Sequence, residues 1–249
     1  MPIREMLFSA LYNYVSRVDR EGEIKLMNFG YLDDGSAQSG VDCSSNLYLR
    51  ATRDFDLSGK RVLEVGCGRG GGLALLHSKV RPLLSHGVDP SAAAIQFCSD
   101  HYQLEGLTFS VGTAEGLQFS DETFDCVINV ESSHRYQGFG DFVTHTFRVL
   151  RPGGLMMITD FRYDHEVTDT RNVFKAAGFE IVRQDDITEQ VVRALIVDDA
   201  RRRALVDKHV PWPLGGIARN FAGTVGSATF KAFQSRKYVY FSDVYRKPS

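Results

Sequence analysis

The chain has 249 residues, enough for one large domain with a proper core, and its 43% hydrophobic and 24% charged content is that of a soluble globular protein. A formal net charge of −2 with no basic stripe argues against a nucleic-acid partner, because phosphate recognition asks for clustered Lys and Arg. No apolar run approaches the ~18 residues of a membrane span, no N-terminal apolar stretch suggests a signal peptide, and Cys43, Cys67, Cys98 and Cys126 form no CxxC pair, so neither zinc nor disulfides are expected and a cytoplasmic setting is the default.

Up to about Val18, apolar residues at Met6, Leu7, Leu11, Tyr14, Val15 and Val18 follow helical spacing. Residues 28–41 are rich in Gly, Ser and Asp and read as a loop, and 43–54 as a second helix. Strands and helices then alternate. Strands are expected at 61–66, 83–89, 107–112, 124–130, 154–161 and 179–187. Helices are expected at 71–80, 91–104, 138–149 and 168–177, the last ending at Gly178 in a left-handed cap. Such alternation predicts an α/β fold, a mostly parallel sheet with helices on both faces. Residues 188–208 read as one long helix, 209–229 show no clear period, and 230–236 read as a short helix. Residues 237–247, rich in aromatics, form a last strand expected at the sheet edge. Arg201, Arg202 and Arg203, beside Asp198, Asp199 and Asp207, read as a solvated helix face.

The stretch "LEVGCGRGGG" (63–72) lies between the first strand and its helix. Glycines there let backbone amides and the positive end of a helix approach a ligand. In open α/β sheets that ligand lies beyond the carboxyl ends of the strands. Gly66, Gly68 and Gly71 also satisfy GxGxxG, which alone is a weak dinucleotide signal. Glu64 adds discrimination: a carboxylate there would repel a pyrophosphate and suits a ligand with an ammonium or sulfonium group. Asp89 ends the second strand about 20 residues on, where an acid would hold ribose hydroxyls.

Five segments in order, "VLEVGCGRGG", "GVDPS", "GTAEGLQFSDETFD", "CVINVESSH" and "RVLRPGGLMMITDF", make residues 45–185 similar to the class I S-adenosylmethionine-dependent methyltransferases. The resemblance implies a Rossmann-like, seven-stranded, mostly parallel sheet. It divides the single domain into an N-terminal helical cap (1–56), a cofactor-binding core (57–187), an acceptor-side lid (188–236) and a final strand (237–249). It implies S-adenosyl-L-methionine as cofactor. Glu64, Gly66, Gly68 and Gly70 would face its methionine end, Asp89 its ribose, and Pro90 its adenine edge. Thr113 stands where the family often has Asp, so Ala114 or Glu115 would serve the adenine amino group instead. Asn129 and Val130 would lie under the sulfonium, and Tyr31, in "NFGY", would touch the cofactor carboxylate or the acceptor. No metal is implied.

Methyl transfer to a hydroxyl needs the nucleophile in line with the methyl group and a base for its proton. His134, in the loop after the fourth strand, is the candidate base, with Asp160, at the end of the fifth, to orient it. Glu131, Ser132 and Ser133 are secondary candidates, and His145 reads as structural. The mostly apolar lid suits a hydrophobic or aromatic small-molecule acceptor, or forms a homodimer contact. Together these features resemble bacterial natural-product and lipid O-methyltransferases of the phthiotriolone and phenolphthiodiolone dimycocerosate type. "ES" after the fourth strand also occurs in sterol and tocopherol C-methyltransferases, which keeps carbon or nitrogen methylation open. A protein that keeps the fold and cofactor but runs another reaction is a further alternative; a nicotinamide-dependent reductase is disfavoured by Glu64 and "VLRPGG".

Overall fold

A computed structural model describes residues 12–14, 18–19, 21–34 and 42–249. Of the first expected helix, Tyr12–Tyr14 and Val18 are helical, whereas Met6, Leu7, Leu11 and Val15 lie outside the described residues, as does the 35–41 part of the expected loop.

Helix α1 (Cys43–Ala51) starts where the Asp42 carboxylate accepts from the Ser45 amide. The alternating core follows as β1 (Arg61–Val65), α2 (Gly71–Val80), β2 (Leu84–Asp89), α3 (Ala92–His101), β3 (Leu107–Val111), β4 (Phe124–Val130), α4 (Phe139–Val149), β5 (Leu150–Tyr163), α5 (Val167–Ala176) and β6 (Glu180–Asp186). Strand order is β3-β2-β1-β4-β5-β7-β6, with β1 to β5 parallel. The parallel strands are apolar on both faces, as burial beneath two helical layers requires. Val62, Cys126, Ile128, Met157 and Val244 face the layer containing α1 and α2. Leu63, Val65, Val127, Met156 and Ile158 face the opposite layer, where α4 contributes Phe142, Val143 and Val149. Phe142 is fully buried, so Phe142→Ala would cost about 3–5 kcal/mol. Helix α5 ends as expected: Gly178 takes a left-handed conformation, and the Phe179 amide returns to the Phe174 carbonyl at 3.1 Å.

Three expectations are corrected. The last strand, β7 (Tyr238–Arg246), does not sit at the edge. It inserts between β5 and β6, antiparallel to both, and β6 is the edge. Its near-continuous burial is what an interior position demands, whereas β6 is largely exposed or half-buried. The long helix expected over 188–208 breaks into α6 (Thr188–Val197) and α7 (Asp199–His209). Asp198 terminates the first and begins the second, its carboxylate receiving Arg201 and Arg202, an arrangement favoured at a helix N-terminus. The stretch without period contains α8 (Gly215–Phe221), after a short turn at Trp212–Leu214. Helix α9 (Ala228–Gln234) leads into β7. Among the described residues no helix is long and apolar enough to cross a membrane.

Candidate functional site

At the carboxyl end of β1 the chain turns sharply. Gly66 has φ +76°, and a Cβ there would stand 2.3 Å from the Ser132 Oγ, so both backbone strain and space require glycine. The amides of Gly66 and Cys67 donate to the Val88 carbonyl at 2.8 and 3.1 Å, which fixes the turn against β2. The Gly68 amide donates to Asp89 Oδ2 at 3.0 Å, and the Ser91 amide to Asp89 Oδ1 at 2.9 Å. Burial pushes the Asp89 carboxyl up, and those two amides oppose the rise. Gly72 admits the Tyr48 ring, since a Cβ would lie 1.8 Å from it; the Tyr48 hydroxyl then donates to Glu64 Oε1 at 2.8 Å.

The glycine turn, Asp89 and Tyr48 open onto a cavity of about 1060 Å³. Gly66, Gly68, Asp89, Pro90, Thr113, Ala114, Glu115 and Val130 line one part of it. Phe29, Glu131, His134 and Phe161 line another, beneath Val206, Ala218 and Phe221 of the lid.

His134 sits on a short helical turn after β4. Its Nδ1 lies 2.8 Å from Asp160 Oδ1, in the last third of β5. Asp160 also accepts from the Ser133 hydroxyl at 2.6 Å and from the amides of His134 and Phe161 at 3.0 and 2.8 Å. Burial alone would raise Asp160, but His134 and the Arg162 guanidinium reverse this and hold its carboxyl well below the usual carboxylate range. Burial lowers His134, against the pull of Asp160, so the neutral imidazole is favoured near neutrality. An ionised Asp160 at Nδ1 fixes the proton there and leaves the Nε2 lone pair outward, where the Arg135 Nε donates to it at 3.2 Å.

Several expected residues are placed elsewhere. Glu64 is fully buried beneath the turn and does not line the cavity; strand alternation turns it into the face shared with Tyr48. Burial raises its carboxyl to about 8. Gly70 packs on Phe109 and Cys98 rather than on the cavity. The Asn129 Nδ2 donates to the Val65 carbonyl and to Ser132 and Tyr136, bracing the end of β1 outside the lining. Asp160 stands behind His134, out of reach of the cavity. Tyr31 is buried away from it, its hydroxyl donating to Asp33 at 2.9 Å, and Tyr14 is not in the lining either. Within "NFGY" it is Asn28 and Phe29 that line the cavity, Phe29 two residues from the expected position.

Sequence reasoning missed Arg69, Arg135 and Phe161, all of which line the cavity. The buried Arg69 bonds the Asp19 carbonyl at 2.6 Å and pairs with its carboxylate at 3.0 Å, strapping the N-terminal segment to the glycine turn. The signal for Arg69 was a lone charge inside a glycine run. Glu131, named only as secondary, has φ +48°, and its Oε1 accepts from the Phe29 amide at 2.7 Å and from the Tyr240 hydroxyl. Burial raises it to about 8.

Residues 63–158 match the family described as "Methyltransferase domain". The chain is 35% identical over 225 residues to a phthiotriol/phenolphthiotriol dimycocerosates methyltransferase of Mycobacterium leprae, covering 88% of this chain and 83% of that one. It is 36% identical over 208 residues to a fatty-acid O-methyltransferase of Mycolicibacterium smegmatis, covering 81% and 76%. Its fold matches the [4+2]-cyclase SpnF with a TM-score of 0.75 at 20% identity, covering 97% of this chain and 95% of that one.

Proposed function

The chain belongs to the class I S-adenosylmethionine-dependent methyltransferases, and from that premise we propose that it methylates a hydroxyl oxygen of a lipid or other apolar natural product, with His134 as the base. When bound, S-adenosylmethionine supplies an electrophilic methyl group. The cavity fits it: a glycine turn that admits no Cβ at Gly66, a cavity-facing carboxylate at Asp89 for paired hydroxyls, and Thr113, Ala114 and Glu115 at the end of β3 for an adenine edge. Glu64 and Asn129 act indirectly in this reading, holding Tyr48 and the end of β1. Asp160 is a positioning residue, fixing the tautomer of His134.

One observation carries the reading. His134 lines the same cavity as Gly68 and Asp89, while its Nδ1 is held 2.8 Å from a buried carboxylate. Such an imidazole, its Nε2 directed outward, accepts a hydroxyl proton as the oxygen attacks once the acceptor displaces the Arg135 Nε that donates to it at 3.2 Å. The volume of about 1060 Å³ and the aromatic wall of Phe29, Phe161 and Phe221 support an acceptor with extended apolar surface. In the test, His134→Ala keeps its affinity for S-adenosylhomocysteine and loses most of its turnover; unchanged turnover removes the base from the mechanism.

A second reading, methyl-ester formation on a carboxylate, is favoured by Arg135, whose guanidinium lines the cavity beside His134. A carboxylate carries no proton to remove. Turnover would then survive His134→Ala and fall with Arg135→Ala.

A further inference from the structure

Proton transfer through His134 leaves the carboxyl of Glu131 unused, although it lines the same cavity three residues away. Its backbone stands at φ +48°, where a residue with a Cβ is strained, and its amide donates to the Thr159 carbonyl at 2.9 Å. Its Oε1 accepts from the Phe29 amide at 2.7 Å and from the Tyr240 hydroxyl. Backbone and carboxyl are thus both held in place. Among the described residues nothing bonds Oε2, and the half-buried side chain is part of the cavity lining.

Two donors on Oε1 leave Oε2 as the place for a proton. Burial pushes the carboxyl up to about 8, against the Tyr240 hydroxyl and the Phe29 amide; Asp160 on β5 adds to the rise and Arg202 on α7 opposes it. Tyr48 on α1 and Arg135 after β4 also feel its charge. From about pH 7 to pH 9 these neighbours keep one state. Asp160 is ionised, the arginines are charged, and burial holds both tyrosines well above their ordinary 10. Near neutrality Glu131 is therefore a carboxylic acid whose O–H is offered to the cavity, where an aromatic wall leaves it unsatisfied until a ligand arrives. His134 Nε2 takes a proton and Glu131 Oε2 gives a hydrogen bond. That pair fits an acceptor with two oxygens close together.

We propose that Glu131 determines specificity: its Oε2 hydrogen-bonds a second oxygen of the acceptor, next to the hydroxyl that His134 deprotonates, so that hydroxylated chains with a neighbouring carbonyl, ether or hydroxyl oxygen are selected over simple alcohols. The proposal rests on the reading of His134 as the base for a hydroxyl. Wild-type protein loaded with S-adenosylhomocysteine is titrated calorimetrically with a long-chain secondary alcohol and with the β-hydroxy ketone of the same length. The hydroxy ketone binds roughly tenfold more tightly at about pH 7, the effect of one hydrogen bond. That advantage is present while Glu131 is neutral and is lost as pH rises through 8, because an ionised Oε2 has no proton to give and repels the carbonyl oxygen. Glu131→Gln keeps an oxygen for Phe29 and Tyr240 and an N–H for the ligand, so it retains the advantage up to about pH 9. Glu131→Leu loses it at every pH.

Equal affinity of the wild type for the two probes overturns the proposal. So does a preference that Glu131→Leu keeps, or one that pH leaves untouched in the wild type. A purely structural Glu131 would shift both affinities together and leave their ratio alone. With S-adenosylmethionine in place of the product, selective binding without methyl transfer to the hydroxyl overturns the base reading and leaves Glu131 standing. Transfer to the hydroxyl of both probes without selective binding does the reverse, and binding of neither probe overturns both.

Discussion

At the proposed cofactor end the cavity is walled largely by backbone: the turn at 66–68, the amide-bonded carboxylate of Asp89 and the segment 112–114. At the proposed acceptor end it is walled by side chains from segments far apart in the chain, with Phe29, His134, Phe161, Phe221 and Tyr238 among them. The first wall is made locally, each strand delivering its own turn to one edge of the sheet. The second exists only once the cap, the lid and β7 have packed together. Backbone walls suit a ligand shared by a whole family, and side-chain walls suit one that differs from member to member.

Substitutions at the two ends should therefore fail differently. The largest effect is expected at the acceptor end. Asp160→Asn keeps the shape but removes the charge that fixes His134, and kcat should fall by about 10²–10⁴ with S-adenosylhomocysteine affinity unchanged in calorimetry. A parallel fall in affinity would mean the two ends are one unit. At the proposed cofactor end, Asp89→Ala should weaken cofactor binding roughly 10- to 100-fold while leaving saturated turnover close to wild type, because in the proposed reading the carboxylate holds the ligand and takes no part in proton transfer.

Gly66→Ala should cost about 1–3 kcal/mol in denaturant unfolding, from a strained φ and a Cβ crowding Ser132. In pH terms, turnover should fall as pH drops through the lowered pKa of His134, below its ordinary 6.5, and stay level above it.

The smallest effect concerns Glu64. Its carboxyl is raised from about 4.5 to about 8, so burying it neutral contributes stability that is complete below 4.5 and is lost as pH rises through 8. Glu64→Gln retains an acceptor for Tyr48 and cannot ionise. Its melting temperature should therefore drop less between pH 5 and pH 9 than that of the wild type, by ~2–4 °C.

The contrast between the walls also sets what the sequence could reveal. β1, β4 and the glycine turn follow from local periodicity and from residues that only a close ligand explains. The spacing located Glu64 and Asn129 along their strands, yet alternation decided their faces, and both turned into packing rather than into the cavity. Phe29 instead of Tyr31 was a matter of register, set by the bond from the Phe29 amide to Glu131 more than a hundred residues away. The interior place of β7 was hidden for a similar reason: pairing with β5 and β6 is decided across the fold. The break at Asp198 fell in a run whose apolar spacing continues across it. His134 and Asp160 were legible because His134 follows β4 and Asp160 lies just past the last β4–β5 pair, Val130 with Thr159, although β5 runs on to Tyr163; the 2.8 Å contact between them is the consequence.

The most direct test follows a methyl-labelled S-adenosylmethionine in a single turnover with a long-chain hydroxylated lipid, for wild type and His134→Ala. The account predicts label on the lipid oxygen with the wild type, and a rate at least a hundredfold lower with the variant at equal cofactor occupancy. Label on carbon or nitrogen, or an undiminished rate without the imidazole, would contradict it.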